Sequence, residues 1–142
     1  MMNIYLLDTN IISEPSKIKP NQNIVEKIAE NIEYSCICSI VWAESLAGVA
    51  LLDNGRKKDS LFHYLIDTVQ KNFEMINFDA SCATVYADLV KRLKEKGSPL
   101  PKFDLLIASV AIANNFILVT QNTKDFLPIT ELSTLMLENW AG

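Results

Sequence analysis

Apolar and polar residues follow one another along this chain in blocks that predict strand and helix in turn. Asn3-Ile4-Tyr5-Leu6-Leu7 is a short apolar run that stops abruptly at Asp8-Thr9-Asn10, the pattern of a buried strand. Ile11, Ile12 and Ser13 lead into a turn holding Pro15 and Pro20. From Gln22 to about Glu33, the residues Ile24, Val25, Ile28, Ala29 and Ile32 fall at helical spacing. Tyr34 to Cys38 predicts a second strand, and Ser39 is placed to cap a helix from Ile40 to about Leu52. Asp53-Asn54-Gly55 stops that helix, and an amphipathic segment follows from about Lys58 to Asn72.

The second half continues in the same way. Phe73 to Phe78 is a weaker strand, and Asp79-Ala80-Ser81 opens a helix through about Lys96. Gly97-Ser98-Pro99-Leu100-Pro101 is a loop, Lys102 to Asn115 a strong helix, and Phe116 to Thr120 a buried strand. Gln121 to Phe126 reads as a loop, and Leu135-Met136-Leu137 as a short last strand. The strands lack clean period-two patterning, as expected of a parallel sheet covered by helices on both faces. The expected fold is a three-layer α/β/α sandwich with a central, mostly parallel sheet.

Composition narrows this picture. A chain of 142 residues, 49% hydrophobic and 21% charged, has the size and core of one domain, and no linker or repeat divides residues 1–142. No apolar run reaches the roughly 18–20 residues of a membrane span. The start carries no basic segment and is interrupted by Asp8, so no signal peptide and a cytoplasmic location are expected. Three cysteines make no disulfide framework. Cys36 and Cys38, within the second strand, are expected on opposite faces as buried structural thiols. The net charge of −4 gives no global attraction to phosphate, so a nucleic-acid enzyme of this composition needs bound cations or local basic patches. Arg56-Lys57-Lys58 and the run Lys91, Arg92, Lys94, Lys96 are candidates for such patches, each otherwise a solvated helix face.

The candidate chemistry lies in four carboxylates. Asp8 follows the first strand, Glu44 lies early in the helix after the second, Asp104 starts the helix entered through Pro101, and Asp125 follows the strand ending at Thr120. In an open parallel sheet, the C-terminal strand ends and the N-termini of the following helices share one edge. All four acids therefore map to that edge. Singly, each has a plain explanation: a turn cap at Asp8, helix-dipole placement worth about 0.3–1 kcal/mol at Glu44 and Asp104, a solvated acid at Asp125. Together they make a cluster whose repulsion and lost hydration a hard divalent cation relieves, and Mg²⁺ or Mn²⁺ suits oxygen ligands without histidine.

Other chemistries lack equipment. The single histidine, His63, sits in an amphipathic helix away from the acids, which argues against a Ser-His-Asp triad, a Cys-His dyad or a His-based zinc site. No Walker-type loop and no GxGxxG is present.

These residues carry a family resemblance. Leu6-Leu7-Asp8-Thr9-Asn10, Ser39-Ile40-Val41-Trp42-Ala43-Glu44 with Gly48, Asp104-Leu105-Leu106-Ile107-Ala108, Leu118 to Phe126, and Leu137-Glu138-Asn139-Trp140 resemble, in order and spacing, a PIN-domain ribonuclease of the VapC-type toxin group. The resemblance implies Mg²⁺- or Mn²⁺-dependent endonucleolytic cleavage of RNA, a homodimer, and a cognate antitoxin inserted near the acidic groove. By motif, Asp8, Glu44 and Asp104 are the core acids. The fourth position falls either at Asn122 or at Asp125. Thr9 and Thr120 support by hydrogen bonding. Ser45 departs from the family, which commonly has an apolar residue there. In this scheme Asp8 and Asp104 ligate the metal directly, and Glu44 and Asp125 ligate directly or through water. Metal-activated water attacks in line and leaves a 5′-phosphate and a 3′-hydroxyl. Three alternatives stand beside it: a non-catalytic interaction module of the same fold, an aspartyl-nucleophile phosphotransferase built on Asp8, and a DNA-directed nuclease.

Overall fold

The computed structural model describes residues 3–99 and 101–142; Met1 and Met2, and Leu100 of the expected loop, lie outside the described residues. Five strands form one sheet: β1 (Tyr5–Leu7), β2 (Ser35–Cys38), β3 (Glu74–Ile76), β4 (Ile117–Val119) and β5 (Met136–Glu138). Their order is β3-β2-β1-β4-β5 and every pairing is parallel. The helices are α1 (Thr9–Ile12), α2 (Gln22–Glu30), α3 (Ser39–Ala50), α4 (Arg56–His63), α5 (Gln70–Asn72), α6 (Ala80–Glu95), α7 (Lys102–Asn114) and α8 (Thr123–Leu132). Helix α4 continues through a π-helical stretch, Tyr64–Val69, into α5. No helix among the described residues is long and apolar enough to cross a membrane.

The central strands lack polar alternation because they are buried on both faces. Leu6, Leu7, Ile37, Leu118 and Val119 are buried completely, which removes any reason for alternation. The edge strands read weakly because their residues are half-buried or exposed. From β1 the chain steps outward to β2 and β3, then crosses back to β4 and β5 on the other side. The direction of winding reverses between β1 and β4, and side chains at their C-terminal ends stand at a topological switch point, where open α/β sheets bind ligands. Asp8 and Thr120 are those residues.

Local structure departs from the sequence reading in four places. Ile11 and Ile12 do not lead into a turn but belong to α1, which Asp8 caps by accepting from the Thr9 N–H. The cap of α3 is Cys38, and Ser39 is its first residue; the Ser39 hydroxyl oxygen instead accepts from the Phe78 N–H, at 3.1 Å. Cys36 and Cys38 share a face, because residues two apart on a strand point the same way. Both are buried and free, and burial pushes the thiols up to about 12 and about 11. Finally, Thr123–Leu132 is helical, so Asp125 lies in the first turn of α8 and not in a loop. That helix buries only Phe126 and Ile129 and contains Pro128, so it lacks a legible apolar stripe.

Candidate metal centre at the switch point

Asp8 is held from several directions. Its own N–H donates to the Val119 carbonyl at 2.9 Å, and its carbonyl accepts from the N–H groups of Ile11 and Ile12. The carboxylate is only 7% exposed. Oδ1 accepts from the Thr9 N–H at 2.7 Å, and Oδ2 accepts from the Thr120 hydroxyl at 2.8 Å. Burial raises its pKa, and those two bonds oppose the rise because they favour the charged form. Thr120 is fully buried, and its oxygen also accepts from the Asn122 N–H at 3.1 Å.

Glu44 sits on α3 and accepts from the Thr9 hydroxyl at 3.1 Å. Thr9 thus binds one acid with its backbone and the second with its side chain. Burial raises the Glu44 pKa, the Thr9 bond lowers it, and the charge of Asp8 raises it again. Asp104, in the first turn of α7, is pushed up to about 6, first by burial and then by the charges of Asp8, Asp125 and Glu44. The other three sequence-predicted acids are therefore within electrostatic reach of Asp104. Asp125 is exposed, and its N–H donates to the Asn122 carbonyl at 3.1 Å. Asn122 precedes α8 and makes no side-chain cap. His63 is exposed, with Nδ1 3.3 Å from Asp67, and takes no part.

Two clefts flank this centre. Thr9 and Glu44 border an apolar cavity of about 280 Å³ together with Ile12, Val49, Leu61 and Tyr64. Asp104 and Asp125 border another of about 410 Å³, with Lys124 at its edge. The Ser45 hydroxyl, in the wall of the first, is buried without a hydrogen-bond partner.

Among the described residues, the ion pairs join Glu14 to Lys17, Asp67 to His63 and Lys71, and Asp88 to Arg92, so none of the four acids is held in one. Nor does any group of three or more His, Cys, Asp or Glu side chains stand ready to enclose an ion as placed. The donor set fits a hard divalent cation in its chemistry: oxygen ligands only, crowded, partly dehydrated and uncompensated. A finished cage is not required, because Mg²⁺ is commonly held by one or two carboxylates with waters and substrate phosphates completing the octahedron. The sequence reading missed Asn10, Glu14 and Gln121, whose side chains extend the hydrogen bonding behind Thr120. No spacing rule reveals amide pairings across 107 to 111 residues.

The chain matches the PIN domain family over residues 5–130. It is 39% identical to ribonuclease VapC2 of Rickettsia felis over 139 residues, covering 96% of this chain and 98% of that protein. It is 35% identical to toxin FitB of Neisseria gonorrhoeae over 124 residues, covering 85% of this chain and 89% of that one. The fold superposes with a TM-score of 0.79 on VapBC2 from Rickettsia felis, a crystal structure with a DNA fragment from their promoter, at 33% identity over 96% of this chain and 98% of that chain.

Proposed function

We propose, from the premise that the chain belongs to the PIN domain family, that it is a divalent-metal-dependent endoribonuclease and the toxin of a toxin–antitoxin pair. The observation that carries the metal site is the coupling of Asp104 to Asp8, Asp125 and Glu44, none of which is ion-paired among the described residues. Mg²⁺ or Mn²⁺ bound there supplies an activated water and neutralises charge on the scissile phosphate.

The chain's own residues do the remaining work. Asp8 and Asp104 would be the direct ligands: Asp8 is oriented by Thr9 and Thr120 with one further lone pair free on each oxygen, and Asp104 stands at the start of α7. Glu44 and Asp125, which border different clefts, would ligate directly or through water. Glu44, already inclined to hold a proton by burial, is placed to take one from the attacking water. Asn122 supports the fourth position beside Asp125.

A cognate antitoxin is the proposed partner, blocking the centre from the apolar cavity that Glu44 borders, and a homodimer is the proposed state. The missing preformed cage is the one observation favouring a non-catalytic interaction module. Purified protein incubated with structured RNA decides between them. We expect Mg²⁺- or Mn²⁺-dependent cleavage leaving 5′-phosphate ends, abolished by chelator and lowered at least about 100-fold in Asp8→Asn. Undiminished cleavage in chelator, or full activity in folded Asp8→Asn, refutes the proposal.

A further inference from the structure

Behind Asp8 lies a chain of hydrogen bonds in which every donor direction is determined. The Gln121 N–H can only donate, and it meets Asn10 Oδ1 at 3.1 Å. That fixes the Asn10 amide and turns its Nδ2 toward the Thr120 oxygen, at 3.3 Å. The Thr120 oxygen also accepts from the Asn122 N–H, so both its lone pairs are engaged and its one proton goes to Asp8 Oδ2. The Gln121 side chain is fixed as well. Its Nε2 faces two acceptors, the Asn10 carbonyl at 2.8 Å and Glu14 Oε2 at 3.2 Å. Glu14 is buried; Oε1 accepts from the Asn21 N–H at 2.9 Å, and Oε2 receives Lys17 Nζ at 2.8 Å.

We propose that Glu14 is a positioning residue for Asp8, acting through Gln121, Asn10 and Thr120 to set the direction of the hydrogen bond that Asp8 receives. Its role in cleavage rests on the ribonuclease reading above; the tether itself does not. Glu14 is in 3₁₀ helix Glu14–Ser16 after α1, whereas Gln121 follows β4, so the carboxylate ties together the two segments that flank the switch point. Two acceptor oxygens are needed. In Glu14→Gln the Asn21 N–H claims the amide oxygen, and the new NH₂ faces Lys17 Nζ and Gln121 Nε2, donor against donor. The Gln121 side chain then loosens its hold on the Asn10 carbonyl, Asn10 shifts against the Gln121 N–H, and the Thr120 proton loses its enforced direction.

The experiment compares Glu14→Gln in the wild-type and Thr120→Val backgrounds. In the wild-type background we expect single-turnover RNA cleavage about tenfold slower, the scale of a misplaced catalytic group. In the Thr120→Val background Glu14→Gln is expected to change the rate by less than about twofold, because residues acting through one network are not additive. The second readout uses metal-free protein: hydrogen exchange of the Asn10 side-chain amide, followed by NMR, is expected to quicken at least about tenfold in Glu14→Gln as the local bonds open. Gln121→Met, which removes the two Nε2 bonds, keeps the backbone N–H on Asn10 Oδ1 and leaves Glu14 with Lys17 and Asn21, is expected to do the same and serves if Glu14→Gln does not fold. An equal rate loss in both backgrounds, or unchanged Asn10 exchange, overturns the proposal. Should the wild type fail to cleave RNA, the ribonuclease reading fails, and Asn10 exchange still decides whether the tether exists.

Discussion

Removing one acid from the centre is expected to stabilise the metal-free protein, with the pH dependence of a carboxylate that the fold holds against ionisation. Asp104 is raised from 3.8 to about 6 by burial and by Asp8, Asp125 and Glu44. A shift of about two units corresponds to about 3 kcal/mol at about 1.36 kcal/mol per unit. Asp104 is partly solvated, and screening reduces this to about 1.5 kcal/mol. With a folded pKa above the unfolded one, the cost is absent below pH 3.8, grows between 3.8 and about 6, and is fully present above 6. Asp104→Asn removes the charge and keeps the shape. An unfolding entropy of about 2.1 cal/mol/K per residue gives about 0.3 kcal/mol/K for this chain. In chelator at pH 7.5, Asp104→Asn should therefore melt about 5 °C above wild type, and at pH 3.5 the two should nearly coincide. Divalent metal should reverse the order, because an ion at 100 times its Kd adds about 2.7 kcal/mol to the species that binds it. Circular dichroism melts at two pH values, with and without Mn²⁺, make the test. An unchanged or lowered melting point in chelator at pH 7.5, or the same gain at both pH values, refutes the reasoning.

Further outcomes follow from single contacts. Thr9→Val removes the bond that lowers the Glu44 pKa, so the acidic limb of the cleavage pH profile should move to higher pH; a stationary limb would separate Thr9 from Glu44. Asp125→Asn should weaken Mn²⁺ binding, measured by calorimetry, more than Asn122→Ala does; the reverse order assigns the fourth position to Asn122. Leu118→Ala, at a fully buried β4 residue, should cost about 2–5 kcal/mol in urea unfolding through the cavity it leaves, and a cost below 1 kcal/mol would deny that β4 is central.

The parts of the fold legible in the sequence are those whose burial is complete. Leu6-Leu7, Ile37 and Leu118-Val119 stand out because a strand buried on both faces cannot carry polar residues. Helix α7 stands out for the same reason, and it ends at Asn115, a residue that tolerates the left-handed φ of 58° found there. α8 is hidden in the sequence because two buried residues and a proline make no periodic signal, so Asp125 reads as a loop residue. The acids are legible because each lies just after a strand or within the first two turns of a helix at one sheet edge, and that edge is set by topology rather than by contacts. Their supports were legible only in part. Thr9 and Thr120 lie next to strands, but the pairing of Gln121 with Asn10 and Glu14 depends on which amide meets which oxygen after folding. Ser45 shows the same limit: only the packed structure reveals a buried hydroxyl with no partner, at a cost of about 1–3 kcal/mol.

Everything proposed about catalysis requires a divalent ion to settle among acids that follow β1 and lie on α3, α7 and α8. Crystals soaked in Mn²⁺ and measured at a wavelength where manganese scatters anomalously report this directly. The account predicts an anomalous peak at bonding distance from carboxylate oxygens of both Asp8 and Asp104, lost in Asp104→Asn crystals. Manganese bound elsewhere on the chain, with nothing between Asp8 and Asp104, contradicts it.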